Sequence, residues 1–191
     1  MKKVLLFAIV AALAFGMNLY AATSVTIKLD RPKVDVSKMG GKDRPKSGRP
    51  SVETKNSTSN YEGKISCSGL AKGETATITL EAYFITRTLG RSKNYDVVEK
   101  REEVGKFTFG GEEDKPTQEF AFSSPQVTET ETSELKGGRR NRHVVKSKSG
   151  KKLLGVIVRA IGPDKKILKV VTEPNNPAWI KLAKEPVVRV E

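Results

Sequence analysis

Residues 75–88 read TATITLEAYFITRT. Ala76, Ile78, Leu80, Ala82 and Phe84 recur at every second position, with Thr75, Thr77, Thr79 and Glu81 between them. Successive side chains of a strand point to opposite faces, so this alternation marks a strand with one buried face and one polar face. Threonine, isoleucine, tyrosine and phenylalanine also suit a pleated, half-buried surface. The stretch predicts a long strand laid across a core.

The same period continues on both sides. Val25, Ile27 and Leu29 alternate with Thr26 and Lys28, and Ile65 and Cys67 alternate with Lys64, Ser66 and Ser68. Tyr95 to Glu103 is more polar and reads as an edge strand. Phe107 and Phe109 precede a Gly- and Asp-containing stretch, and Phe120 and Phe122 follow it, which predicts a hairpin. Leu153 to Ile161, the turn Gly162-Pro163-Asp164-Lys165 and Ile167 to Val171 predict another. Val187 to Val190 suits a closing strand. No stretch sustains a helical period, and the best helical candidate is short, Pro177 to Ala183 around Trp179. Many short strands separated by Gly, Pro and Asp turns predict an all-β protein: an antiparallel β-sandwich of immunoglobulin-like or fibronectin III-like architecture with long basic loops. The Cys…Trp…Cys pattern of true immunoglobulin domains is missing, so that likeness concerns architecture alone.

Two segments break the alternation. Residues 37–60 are polar, basic and rich in Gly, Ser and Pro, and read as a flexible basic loop. Residues 128–152 begin acidic and Thr-rich, then turn basic, and read as a long charged excursion between sandwich strands.

The N-terminus has the three parts of a signal peptide. Lys2 and Lys3 form the positive region, Val4 to Met17 is apolar over 14 residues, and Asn18 to Ala22 is the more polar end, with Ala21 before the cut. The apolar run is shorter than the roughly 18 to 20 residues a membrane anchor needs. Residues 1–21 therefore read as a cleaved signal helix, and residues 22–191 as one exported domain with no later transmembrane segment. The compact signal suits a bacterium, which makes the periplasm or the cell exterior the expected destination. The Asn56 sequon would matter only in a eukaryotic secretory route.

Composition narrows the chemistry. The 191-residue chain carries a net charge of +13, and cleavage after Ala21 leaves 33 Lys and Arg against 22 Asp and Glu, or +11. One cysteine, Cys67, allows no internal disulfide. One histidine, His143, and one cysteine cannot build a Cys/His zinc site. Cys67 shares the apolar face of Ile65 and reads as a core residue, not a nucleophile. His143 reads as a surface residue among cations. Glu112-Glu113-Asp114 fits no calcium loop and reads as a hairpin turn. Trp179 reads as a plug at one end of the core. No metal or cofactor is expected.

The most distinctive feature is the basic run Lys136, Arg139, Arg140, Arg142, Lys146, Lys148, Lys151 and Lys152, with no acid inside it. Clustered cations attract phosphate, sulfate and carboxylate polymers, and arginine grips such groups with two parallel hydrogen bonds. Lys38 to Arg49, opposed only by Asp43, is a second basic stretch. The competing reading turns these charges inward. Glu129, Glu131 and Glu134 lie just before the run, and a hairpin would pair them with it.

These features favour an exported, non-enzymatic binding or accessory protein of the bacterial envelope. Its expected partners are an anionic glycan, lipopolysaccharide or another envelope protein, and export disfavours nucleic acid. The alternatives are a small secreted hydrolase using two carboxylates, and an assembly subunit that pairs Ser24 to Leu29 or an edge strand with a neighbour.

Overall fold

The computed structural model describes residues 24–41, 45, 48–90, 96–111 and 115–183. The signal segment, the Glu112-Glu113-Asp114 turn and Val187 to Val190 lie outside them. The chain is all-β and antiparallel. Among the described residues nine strands are followed by one short helix: β1 (Ser24–Leu29), β2 (Lys33–Met39), β3 (Ser51–Ser68), β4 (Thr75–Leu89), β5 (Asp96–Gly110), β6 (Thr117–Ser123), β7 (Val127–Lys136), β8 (His143–Ile161), β9 (Ile167–Glu173) and α1 (Pro177–Leu182). All nine strands belong to one hydrogen-bonded sheet, with the main path β1-β3-β7-β8-β4-β5. Among the described residues no helix is long and apolar enough to cross a membrane.

Two long strands organise this sheet, because each works in two regions. Along one edge of β3, β1 pairs with Gly63–Ser68 and β2 with Thr54–Asn60. Along the other edge, β6 pairs with Asn60–Ser66 and β7 with Ser51–Ser57. β8 is shared likewise. Its first half pairs with β7, and its second half lies between β4 and β9.

The second halves of β3 and β8 build the body. Val25, Ile27, Tyr61, Ile65, Cys67, Phe120 and Phe122 pack against Ile78, Leu80, Ala82, Phe84, Phe109, Val156, Val158 and Ala160 in one core. The apolar face read from residues 75–88 is buried as expected. Rings interlock at its centre: Tyr61 stacks on Phe122 at 5.2 Å between centroids, and Phe107 meets Phe120 edge-on at 6.2 Å.

A second, smaller core lies on the opposite face of β4 and β8. Tyr83, Ile85, Ile157, Trp179 and Ala183 are buried there under α1. The helix starts where expected: Pro177 occupies its first turn, and the Asn176 side chain accepts from the Ala178 N–H at 3.0 Å. Trp179 covers this outer face of the sheet and does not plug an end of the main core. A side chain at Gly155 would collide with its ring, so glycine there is a packing requirement.

The first halves of β3 and β8, with β2 and β7, form a wing. No residue of 33–39, 51–58, 128–136 or 143–152 is buried, so this part of the sheet is a single layer open on both faces. Three expectations change or sharpen here. Residues 37–60 do not read as one flexible loop: 37–39 and 51–60 are strand, and of the described residues between them none is. The long charged excursion read over residues 128–152 takes the form of the hairpin that pairs the acidic segment with the basic run, and its second strand runs on into the body. Polarity hid both sets of strands, because this part of the sheet has no apolar face to declare it. Third, β5 and β6 do not pair as a hairpin. β5 joins β4 and β6 joins β3, so their phenylalanines face across the core instead of along one ladder.

Candidate anion-binding hairpin tip

The β7–β8 hairpin carries all eight basic residues named from the sequence, and it separates them into three groups. Residues directly opposite in register share a face of the sheet. Glu131 stands opposite Lys148, and Ser133 opposite Lys146. On that face Lys148 Nζ lies 3.0 Å from Glu129 and 3.4 Å from Glu131, while Lys146 Nζ lies 3.1 Å from Glu131. On the other face Lys136 reaches Glu134 at 3.4 Å. Three glutamates of β7 thus engage three of the eight cations. Hydrogen bonds from Lys146 and then Lys148 hold the Glu131 carboxyl below its ordinary range. The bond to Glu129, followed by Glu131, pushes the Lys148 ammonium up. The shaft of the hairpin neutralises itself.

Lys151 and Lys152 form the second group. They stand opposite Thr88 and Arg87, where β8 has passed from β7 to β4. At about 3.3 Å per residue, this is some 30 Å down the strand from the turn. They belong to a different place on the molecule and cannot join the turn in one site.

Arg139, Arg140 and Arg142 form the third group, at the apex. The turn is closed by the Asn141 N–H donating to the Gly138 carbonyl at 3.2 Å, which puts Arg139 and Arg140 at its two central positions. Gly137 has φ of +107°, and a side chain there would strike the Asn141 carbonyl, so the tight apex depends on glycine. All three arginines are exposed, and none has a carboxylate partner among the described residues. His143 begins β8 beside them, with Nδ1 3.4 Å from the Asn141 carbonyl oxygen.

The second basic stretch converges on this apex in part. Lys38 is bound to Glu53 at 3.6 Å. Lys42, Arg44 and Lys46 lie outside the described residues. Gly48 runs alongside the Leu135 carbonyl, and Ser51 pairs with Ser133. That register brings the exposed Arg49 next to the end of β7, at the same end of the wing as the turn. Arg49 therefore lies at the same end of the wing as the three arginines of the turn, above a shaft whose charges cancel.

Other candidate groups are committed to structure. Cys67 is 8% exposed, and burial pushes its thiol up, away from reactivity. β1 is locked into its own sheet against β3, with Val25 and Ile27 in the core. One group was not foreseen. Glu81, read as an outward polar residue, is 2% exposed and pairs with Arg159, itself 4% exposed, at 2.8 Å. The Tyr83 hydroxyl donates to Glu81 at 2.9 Å, and the Arg159 guanidinium lies 4.7 Å from the Tyr83 ring centroid. The sequence signal existed: Glu81 interrupts the apolar and Thr run 75–86, and Arg159 the apolar run 153–161. Their pairing depended on a register that sequence does not reveal. Comparison of the chain with protein-family models, with curated proteins and with solved structures finds no match to any of them.

Proposed function

We propose that the mature chain is an exported, non-enzymatic accessory protein of the bacterial envelope that grips an anionic polymer with the arginine tip of its β7–β8 hairpin. On this reading the body is a β-sandwich of immunoglobulin-like architecture, and the wing is an arm that carries the tip away from it. The observation that carries the proposal is the contrast along one hairpin: Lys136, Lys146 and Lys148 are tied to glutamates, while Arg139, Arg140 and Arg142, with Arg49 beside them, are left to meet a ligand. Unpaired guanidinium groups on a rigid turn suit the sulfate, phosphate or carboxylate groups of an anionic glycan or lipopolysaccharide. The tip, and not the whole basic run, is the binding element.

Retention on immobilised heparin tests this. The triple variant Arg139→Ala, Arg140→Ala, Arg142→Ala is expected to elute at distinctly lower salt than the native chain, because each lost phosphate or sulfate contact lowers the salt dependence of binding. Lys146→Ala with Lys148→Ala is expected to lower the eluting salt much less than the triple variant does, since these two lysines are already engaged by Glu129 and Glu131. Unchanged elution of the triple variant overturns the role of the tip.

A second reading has one observation in its favour. β2 pairs only with β3 among the described residues, all seven of its side chains are exposed, and Val34 and Val36 are 54% and 44% exposed. An open edge of this kind suits strand pairing with a neighbour. Pro substitution at Val36 would abolish concentration-dependent association on that reading and leave a monomer's profile unchanged.

A further inference from the structure

A second cationic surface lies on the body, away from the tip. It is an open groove of about 670 Å³ along β9, closed on one side by α1. Its walls are Ile167, Leu168, Val170 and Ile180 together with Lys165, Lys166 and Lys169. No acid lines it. Its volume falls within the roughly 300–1,000 Å³ of small-ligand sites. Leu168 is 38% exposed, one of few large apolar side chains the body leaves open to water.

The turn that feeds the groove places a lysine where the backbone disfavours one. β8 and β9 are joined by a three-residue turn closed at both levels. The Lys165 N–H donates to the Gly162 carbonyl at 3.0 Å, and the Gly162 N–H to the Lys166 carbonyl at 2.9 Å. Asp164 fixes the turn further, accepting from the Lys166 backbone N–H at 3.1 Å and from its ammonium at 3.1 Å. Lys165 closes the turn at φ of +62°, the left-handed region in which such hairpins ordinarily place glycine. It is the one non-glycine residue with positive φ among the described residues. Strained residues gather at functional positions, and this one sets an ammonium at the mouth of an apolar groove. Lys166 is occupied by Asp164. Lys165 and Lys169 have no carboxylate partner among the described residues.

We propose that this groove binds a free, single-chain anionic amphiphile of the fatty-acid type. The aliphatic wall of Ile167, Leu168, Val170 and Ile180 takes the chain, and Lys165 and Lys169 take the carboxylate. Lys165 and Lys169, beside four aliphatic side chains, select against a cationic head group by repulsion and against a neutral one by leaving their two ammonium groups without a partner. The groove lies at the end of the chain's body opposite in character to the tip: apolar with a charged rim, where the tip is charged throughout. The two sites take different ligands.

The test uses calorimetric titration of the mature protein with dodecanoate, dodecyl maltoside and dodecyltrimethylammonium, all below their micelle concentrations. One saturable site for dodecanoate, with no saturable binding of the other two, is the expected result. Lys165→Gln with Lys169→Gln is expected to weaken dodecanoate by about tenfold, the scale of a lost charge-assisted contact. Leu168→Gln weakens it through the chain instead. Both sites are on the surface, and an unchanged melting temperature certifies the fold of each variant. The arginine-tip triple variant is expected to bind dodecanoate like the native chain. Equal binding of all three head groups, no binding of dodecanoate, or dodecanoate binding that survives both sets of substitutions overturns the proposal. So does binding confined to phosphatidylglycerol vesicles, which would make this face a membrane contact.

Discussion

The body and the wing share β3 and β8, yet they are held together by different forces. In the body the two long strands bury one face against a ring-filled core and, on β8, the other face under α1. In the wing the same strands bury nothing, and the sheet rests on its ladder hydrogen bonds and on exposed charge pairs. A single layer of sheet gains little hydrophobic stabilisation, and isolated hairpins are marginal in water. The wing therefore depends on its continuity with the body. A strand that is already ordered by a core supplies its neighbours with a fixed edge to pair with. The two proposed sites follow the same division: a region free of packing constraints can present charge at its end, while a packed region can hold a shaped groove.

The sharpest way to break this contrast is to strike the body where it is most committed. Arg159→Ala removes a buried cationic partner of Glu81, and Glu81→Ala removes a buried anionic partner of Arg159, both beneath α1. Removing one partner of a buried pair costs about 3–5 kcal/mol. Each variant should lower the midpoint of denaturant unfolding by an amount of that order, read by Trp179 fluorescence. Replacing both at once, Glu81→Leu with Arg159→Met, should recover most of the loss, because an apolar pair of similar volume needs no charge compensation. Failure of the double variant to recover would assign the loss to the Tyr83 and Ala183 contacts rather than to charge.

A smaller effect is expected at the apex of the wing. Gly137→Val forces a branched side chain into a left-handed conformation and against the Asn141 carbonyl. Strain of this kind is of order 1–3 kcal/mol, and the turn is expected to relax it by opening. Hydrogen exchange should quicken in residues 134–145 and stay unchanged in β4. A global shift in stability equal to that of Arg159→Ala would show that wing and body unfold as one unit, and would end the contrast.

That contrast also explains what could be read beforehand. Residues 75–88 are legible because burial imposes alternation, and β1, the second half of β8, β9 and α1 are legible for related reasons. Thr128, Thr130 and Thr132 alternate with Glu129 and Glu131 just as regularly. A hairpin is one of the pairings this segment allows, but alternation between two polar types carries no burial signal to choose it. Residues 51–58 offered even less, since Ser, Thr, Asn, Glu and Lys on two open faces look like a loop. The candidate site was half legible. Composition located the arginines and the lysines together. Only the register, which puts Lys148 opposite Glu131 and turns the chain at Arg139 and Arg140, could divide neutralised shaft from open tip. Partners across the fold stayed hidden for the same reason. Phe107 and Phe120 meet through the core, and Glu81 and Arg159 through a ladder 78 residues apart.

The smallest expected effect concerns the charges of the shaft, and its sign follows from the direction of each shift. The Glu131 carboxyl is held below its ordinary value of 4.5, so its pairs support the folded hairpin fully above that value and lose this support as pH falls through the lowered midpoint. The Lys148 ammonium is held above its ordinary 10.5, so its support is complete below that value and fades as pH rises through the raised midpoint. Between these limits the hairpin is at its firmest. Because both groups are exposed, solvent screens them and the melting temperature at neutral pH should not move when either is replaced. The local signature is a carbon-13 titration of the Glu131 carboxyl, with a midpoint below 4.5. Hydrogen bonding to Lys146 is the largest cause of the shift and hydrogen bonding to Lys148 the next, so Lys146→Gln should raise the midpoint more than Lys148→Gln does. The reverse order would mean that Glu131 leans on its directly opposite neighbour rather than on the diagonal one. A midpoint that neither substitution moves would mean that the shaft is not neutralised in solution. Its lysines would then join the arginines of the tip, and the charged surface of the wing would extend along the whole hairpin.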